Sequence, residues 1–182
     1  LRGDAHDWGI WHDGFSFDSL ETRVPRFMSE FGFQSFPDPA TMKMFGKPSD
    51  WDSTHVDFKN HEKHPRGFGI VSTYMRREYP EVSDFNHWLY LSQLVQRDGI
   101  VSGIRAHRQN EPYCMGTLFW QFNDCWPAAS WSSVDYYNRE KALHFGLLNA
   151  YAPIAVWTEI GDSLVVHLSN QTGKKKACKL KI

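Results

Sequence analysis

Arg26-Phe27-Met28-Ser29-Glu30-Phe31-Gly32-Phe33-Gln34 is the stretch on which the reading of the fold turns. The run from Val24 to Met28 is rich in residues that suit a strand. It leads into Ser29-Glu30 and then into Gly32, where a glycine permits a sharp change of direction. The pattern is that of a strand delivering a carboxylate at its C-terminal end, the end at which parallel α/β folds place their chemistry. Flanked by Phe27, Phe31 and Phe33, the carboxylate of Glu30 is expected in partly desolvated surroundings. The same nine residues also permit a plain structural role, an ion pair between Glu30 and Arg23 or Arg26.

Working outward toward the C-terminus, the stretch from Ser83 to His107 reads as a long helix. Ser83 or Asp84 can cap it, the apolar positions Phe85, Trp88, Leu89, Leu91, Val95, Val101 and Ile104 give it a buried face, and Arg105, His107 and Arg108 suit its negative end. Gly99 and Gly103 weaken it by ~1 kcal/mol each relative to alanine, and close packing on a sheet is what would require them. After Glu111-Pro112, the apolar run Tyr113 to Trp120 reads as a strand buried on both faces. Polar and aromatic groups gather at its end: Gln121, Asn123, Asp124 and Trp126. Strand, helix and strand make a βαβ unit, hence an α/β fold with parallel strands, and Asn138 to Tyr151 reads as a further helix. The composition changes at Ala152-Pro153. Residues 153–182 alternate as antiparallel strands, Ile154 to Ile160, Ser163 to Ser169 and Lys174 to Ile182, so 1–152 and 153–182 read as two domains, the second a truncated β-sandwich.

Toward the N-terminus, Leu1 to Ser19 lacks any sustained period and reads as a loop dense in functional groups, among them His6, Asp7, Trp8, Trp11 and His12. Two histidines six apart are poorly spaced for a metal, and ligand contact or orientation of Glu30 is the better use for them. Pro37 to Pro80 reads as a surface excursion. His55, His61 and His64 lie within it without a zinc-site spacing, and Gly67-x-Gly69 lacks the third glycine and the preceding strand of a dinucleotide fingerprint.

Composition narrows the functional classes. The 182 residues carry 20 Lys+Arg against 21 Asp+Glu, a net charge of −1, with no basic stripe, which argues against nucleic acid as a partner. No apolar run approaches the ~18 residues of a membrane span and Leu1 to Trp8 has no signal-peptide core, so the chain reads as soluble. Cys114, Cys125 and Cys178 are too few and scattered for a disulfide framework and read as small core residues. The excess is aromatic: 8 Trp, 13 Phe and 7 Tyr, many beside polar groups in loop-like sections. Flat apolar faces mixed with hydrogen-bonding groups suit a sugar ring. Aromatic plugs in a loop-rich protein are the alternative.

Three phrases then carry a resemblance: Gly3-Asp4-Ala5-His6-Asp7-Trp8-Gly9-Ile10-Trp11-His12, Arg26 through Pro37, and Gly116-Thr117-Leu118-Phe119-Trp120-Gln121-Phe122-Asn123-Asp124-Cys125-Trp126-Pro127. In this order they resemble the β-mannosidases of glycoside hydrolase family 2. The resemblance implies the C-terminal part of a TIM (β/α)8 barrel, with Arg26 to Glu30 as the seventh strand and Cys114 to Trp120 as the eighth, followed by the beginning of an immunoglobulin-like β-sandwich. It implies a retaining exo-β-mannosidase acting on oligosaccharides or glycoconjugates with terminal β-mannose. Glu30 would be the catalytic nucleophile, Trp120 the aromatic floor of the sugar site, and Trp8, His6, His12, Asn123 and Asp124 its border. Neither metal nor organic cofactor enters such a mechanism. The acid/base carboxyl of the family belongs to an Asn-Glu pair upstream of everything here. Asn110-Glu111 precedes the eighth strand and would lie at the opposite face of the barrel. The chain is therefore expected to be a fragment, inactive without the remainder of the parent barrel, the parent being extracytoplasmic or lysosomal. Related β-galactosidases, β-glucuronidases and exo-β-glucosaminidases share the barrel, and a non-catalytic carbohydrate-binding piece is the reading from outside enzymology.

Overall fold

The computed structural model describes residues 3–47, 49, 51, 55–179 and 181. Its organising element is the helix α5, Phe85–Gln109, which Asp84 opens by accepting a hydrogen bond from the His87 amide at 2.9 Å. The face read from the apolar spacing is buried, and both glycines are there for contact. A Cβ on Gly99 would stand 2.3 Å from the Phe17 ring, and one on Gly103 would stand 2.7 Å from Phe31. Helix and strand thus approach closer than any larger residue allows.

Under α5 lie three parallel segments, one more than the two strands expected. β1, Ala5–Asp7, pairs with β2, Met28–Phe31, placing His6 opposite Glu30 and Asp7 opposite Phe31. On the other side of β2, the Met28 amide donates to Gly116 O at 3.0 Å and Leu118 N donates to Met28 O at 2.8 Å, with Met28 facing Thr117 in parallel. β2 is therefore the middle of the three. The expected N-terminal loop contains β1 and a single π-helical turn, Gly9–Asp13; a three-residue strand is too short to show a period, and Leu1 lies outside the described residues. The strand around Glu30 also begins later than Val24. Pro25 has no amide to donate to a ladder, and Glu30 falls inside β2, next to its last residue.

The run Tyr113 to Trp120 is not buried on both faces. Cys114 is enclosed, but Tyr113, Met115, Leu118 and Trp120 are exposed, because β2 covers one edge of this segment and no described strand covers the other. Cys125 and Cys178 are exposed as well, which corrects their reading as core residues.

Between β2 and α5 the chain is more ordered than a surface excursion. The short helix α1, Ser19–Thr22, precedes β2; after β2 come α2, Pro39–Phe45, capped by the Asp38 carboxylate on Thr41 N, then α3, Val56–Asn60, and α4, Gly67–Glu78. Phe36, Met42, Phe58, Leu89 and Ala129 form a second apolar cluster there, with Phe68, Phe85 and Trp88 packed on it.

Helix α6, Ala142–Ala150, packs on α5 and leads into an antiparallel hairpin of β3, Ile154–Ile160, and β4, Leu164–Asn170. Arg108 ties these parts together. Its guanidinium donates to the carbonyls of Ala150 and Ala152 and to Ser169 Oγ in β4. No third strand forms among the described residues after Gly173; Leu180 and Ile182 of the expected strand lie outside them. No described helix is long and apolar enough to cross a membrane.

One charged residue enters the core. Lys141, only 2 % exposed, donates from Nζ to Ser35 O at 3.2 Å and Ser130 O at 3.1 Å. Burial pushes its pKa down to about 7, against the opposing pull of Asp124 and Asp135. Between that value and the ordinary 10.5, the unfolded chain holds a proton that the folded chain releases, so this group makes stability rise with pH over the window. Lys141→Met is expected to remove the rise. Urea titrations at pH 7 and pH 9.5 check it, the gap between wild type and variant moving in favour of wild type at the higher pH.

Candidate active site

Glu30 stands at the C-terminal end of β2, with its side chain 24 % exposed. Its Oε1 accepts a hydrogen bond from Trp8 Nε1 at 2.9 Å, and His6 Nδ1 lies 3.7 Å from the same oxygen. Among the described residues no hydrogen bond is recorded to Oε2. One oxygen is held by a neutral donor while the other remains open, which orients a carboxylate without neutralising it. The two arginines of the structural alternative are engaged elsewhere: Arg23 Nε donates to Asp7 at 3.0 Å, and Arg26 lies over the Tyr113 ring.

Trp8 is itself fixed. Its ring meets Trp131 edge-on at 5.9 Å and tilts against His12 at the same distance. All of this converges on Gly32, where a Cβ would stand 2.4 Å from the Trp120 carbonyl oxygen, 3.1 Å from Trp131 and 3.2 Å from the Trp8 ring. The Trp120 amide donates to Phe31 O at 2.7 Å, the Trp120-Gln121 peptide is cis, and the Trp120 ring is 42 % exposed. Trp8 and Trp120 thus emerge at the ends of the segments flanking β2, on the same side as Glu30.

The other residues expected at the site divide. His6 is exposed beside Glu30 and Asp4. His12 is exposed and lies against both Trp8 and His64. Burial lowers the pKa of His64, with the His12 and Arg66 charges adding to the effect. Asn123 is exposed, its carbonyl accepting from Gln121 Nε2. Asp124 departs from expectation. Its carboxylate is enclosed and already occupied, accepting from Lys63 Nζ, Ser130 Oγ and Ser132 Oγ at 2.6 Å each and from Gln121 Nε2 at 3.2 Å.

His55, His61 and His64 go to three separate uses: His55 caps α3, His61 stacks on Phe45 and donates to Pro127 O, and His64 meets the Trp11 ring edge-on. Glu111 lies at the far end of α5, hydrogen-bonded by Gln171. Trp131, one of the tryptophans set beside polar residues, belongs to the surroundings of the site, as do Lys63, Ser130 and Ser132, whose roles no local pattern in the sequence marks.

Chemically the arrangement offers an oriented carboxylate with two indole side chains nearby, suited to attack on, or stabilisation of, a positive centre in a ring that stacks on aromatics. The geometry also implies opposite outcomes for two glycines. Gly32→Ala forces a methyl group into a backbone carbonyl and is expected to cost about 1–3 kcal/mol. In Gly69→Ala, inside α4 with nothing within 4 Å, helix propensity is expected to raise stability by about 0.5–1 kcal/mol. Denaturant midpoints of the two variants check the opposite signs.

No family model matches the chain. Among curated proteins it is similar to Beta-mannosidase B of Aspergillus niger and of Aspergillus terreus, 35% identical in each case over 162 residues that cover 85% of this chain and 19% of the relative. The chain thus spans about a fifth of the length of the curated relatives it matches. The crystal structure of a beta-D-mannosidase from Dictyoglomus thermophilum matches it with a TM-score of 0.87 at 32% identity, over 93% of this chain and 21% of that one. The exo-chitosanase CsxA of Amycolatopsis orientalis shares the fold, with a TM-score of 0.71 at 16% identity, over 93% of this chain and 21% of that one.

Proposed function

Because the chain is homologous to the beta-mannosidases, we propose that it is the nucleophile-bearing part of a longer retaining exo-β-mannosidase of glycoside hydrolase family 2, with Glu30 as the nucleophile. The observation that carries this reading is the Glu30 carboxylate, anchored through Oε1 by Trp8 and open at Oε2, at the C-terminal end of the middle parallel strand. In a TIM barrel that end is the catalytic face.

The chemistry follows from the two oxygens. As an acid in the parent enzyme protonates the glycosidic oxygen, Oε2 attacks the anomeric carbon, the bond to the leaving group breaks, and a glycosyl ester forms on Glu30. Water, deprotonated by the same acid/base group, then attacks from the opposite face, the ester bond breaks and the configuration is retained. The Trp8 N–H holds Oε1 and so orients the carboxylate for attack. Trp120 supports the terminal sugar by stacking, and His6, His12 and Asn123 border it. We assign the acid/base carboxyl to a part of the parent polypeptide beyond this chain, because Glu111 of the Asn-Glu pair here is committed at the opposite end of α5. The reaction needs a carboxylate and an acid, and no step calls for a metal or organic cofactor.

The test is a trapping experiment on the full-length polypeptide. A 2-deoxy-2-fluoro-β-D-mannosyl fluoride is expected to label the peptide containing Glu30 and to stop hydrolysis of a β-mannoside, and Glu30→Ala is expected to lower turnover on the order of 10⁴-fold or more. Label on another residue would remove Glu30 from the role. Label at Glu30 from a glucosaminyl or galactosyl analogue alone would keep the mechanism and overturn the mannose assignment.

A further inference from the structure

Behind the carboxylate lies a buried polar assembly that the reaction itself does not use. Asp124 Oδ2 accepts from the hydroxyls of Ser130 and Ser132, both at 2.6 Å and both fully buried, and Oδ1 accepts from Lys63 Nζ at 2.6 Å. The two serines flank Trp131. Its backbone carbonyl is fixed too, accepting from Gln121 N at 3.1 Å. Trp131 presents its edge to Trp8, and Trp8 donates the hydrogen bond that sets Glu30. Lys63 comes from the turn between α3 and α4, so Asp124 joins that turn to the segment after Trp120. Asparagine in its place keeps one acceptor oxygen and turns an NH2 group toward either Lys63 or the two buried hydroxyls, so a donor faces a donor.

We propose that Asp124, held by Lys63, is a positioning residue for Glu30. It fixes Ser130 and Ser132, these hold Trp131, and Trp131 keeps Trp8 at hydrogen-bond distance from the carboxylate. The proposal rests on the reading of Glu30 as nucleophile. The relay is short, each link is a direct contact, and misplacement of a reacting group through such a relay costs rates on the order of 10- to 100-fold.

The experiment is a double-mutant cycle in the full-length enzyme, with Asp124→Asn, Trp8→Phe and the pair. It measures the rate of labelling at Glu30 by the fluoromannosyl fluoride, together with kcat and KM on an aryl β-mannoside. Asp124→Asn is expected to slow labelling about 10- to 100-fold with KM little changed. Added to Trp8→Phe, Asp124→Asn is expected to have little further effect.

A loss of folded protein alone would lower the amount of label finally taken up and leave the rate constant of labelling unchanged. Ser132→Ala, the milder change, is expected to slow labelling as well and to lose its effect when Trp8 is Phe. Effects that multiply, or a labelling rate constant that stays at the wild-type value in Asp124→Asn, overturn the positioning role. Label on another carboxylate in the wild type overturns the nucleophile reading and this proposal with it, so the two failures are told apart by where the label sits.

Discussion

The arrangement around Glu30 depends on one steric constraint, the absence of a side chain at Gly32. A backbone carbonyl and two indole rings come within van der Waals reach of the space a Cβ would occupy. That convergence brings Trp8 from the first segment, Trp120 from the third and Trp131 from the following loop to one point two residues past the carboxylate. Each ring then limits where its neighbours can sit. A hydrogen bond from an indole N–H has little directional authority unless the ring is packed, and here packing supplies it.

Much of the interior near this point is polar, and many of its groups are tied to one another by hydrogen bonds. Gln96 of α5 donates to Phe33 O at 2.7 Å and accepts from Ser35 Oγ at 2.6 Å, while Asp135 accepts from Thr41 and from the amides of Tyr137 and Arg139. Such groups contribute little net stabilisation per bond compared with apolar packing. They supply direction. The stretch after β2 and the loop after Trp120 are bonded to each other through Ser35 and Ser130 in both senses, at 3.0 and 3.1 Å, so two loops that carry the surroundings of the site behave as one body. Lys141 below them bonds both carbonyls of that pair, and the desolvation it suffers is the cost of holding them from beneath.

What could be read beforehand was what has a local signature. The long helix was legible from its period and from Asp84 at its start. The hairpin of β3 and β4 was legible from alternation, and the place of Glu30 near the end of a strand from a carboxylate followed by a glycine at the end of an extended run. β1 is too short to alternate. α4 begins at Gly67 and contains Gly69, punctuation that suggests a loop, and its helicity comes from packing against α5. The direction of Asp124 was illegible for a different reason. A carboxylate beside asparagine and tryptophan is chemically as fit for a sugar as for a buried serine pair, and only the fold brings up Lys63, distant in sequence, to decide it. Exposure of the Tyr113 to Trp120 run was misread because an apolar run records that something is to be covered without recording by what.

The parallel pairing of Met28 with Thr117 has a consequence for the order in which the chain acquires its form. β1 and β2 are near enough in sequence to meet early, and the helices from α2 to α5 are local. The second edge of β2 is satisfied only after all of them have been made, when a segment beyond the far end of α5 returns to lie beside it. Closing so long a loop is slow compared with forming a helix. During synthesis the strand that carries the carboxylate therefore waits with one edge bare while α5 forms. Until that segment arrives, the second edge of β2 is an open strand.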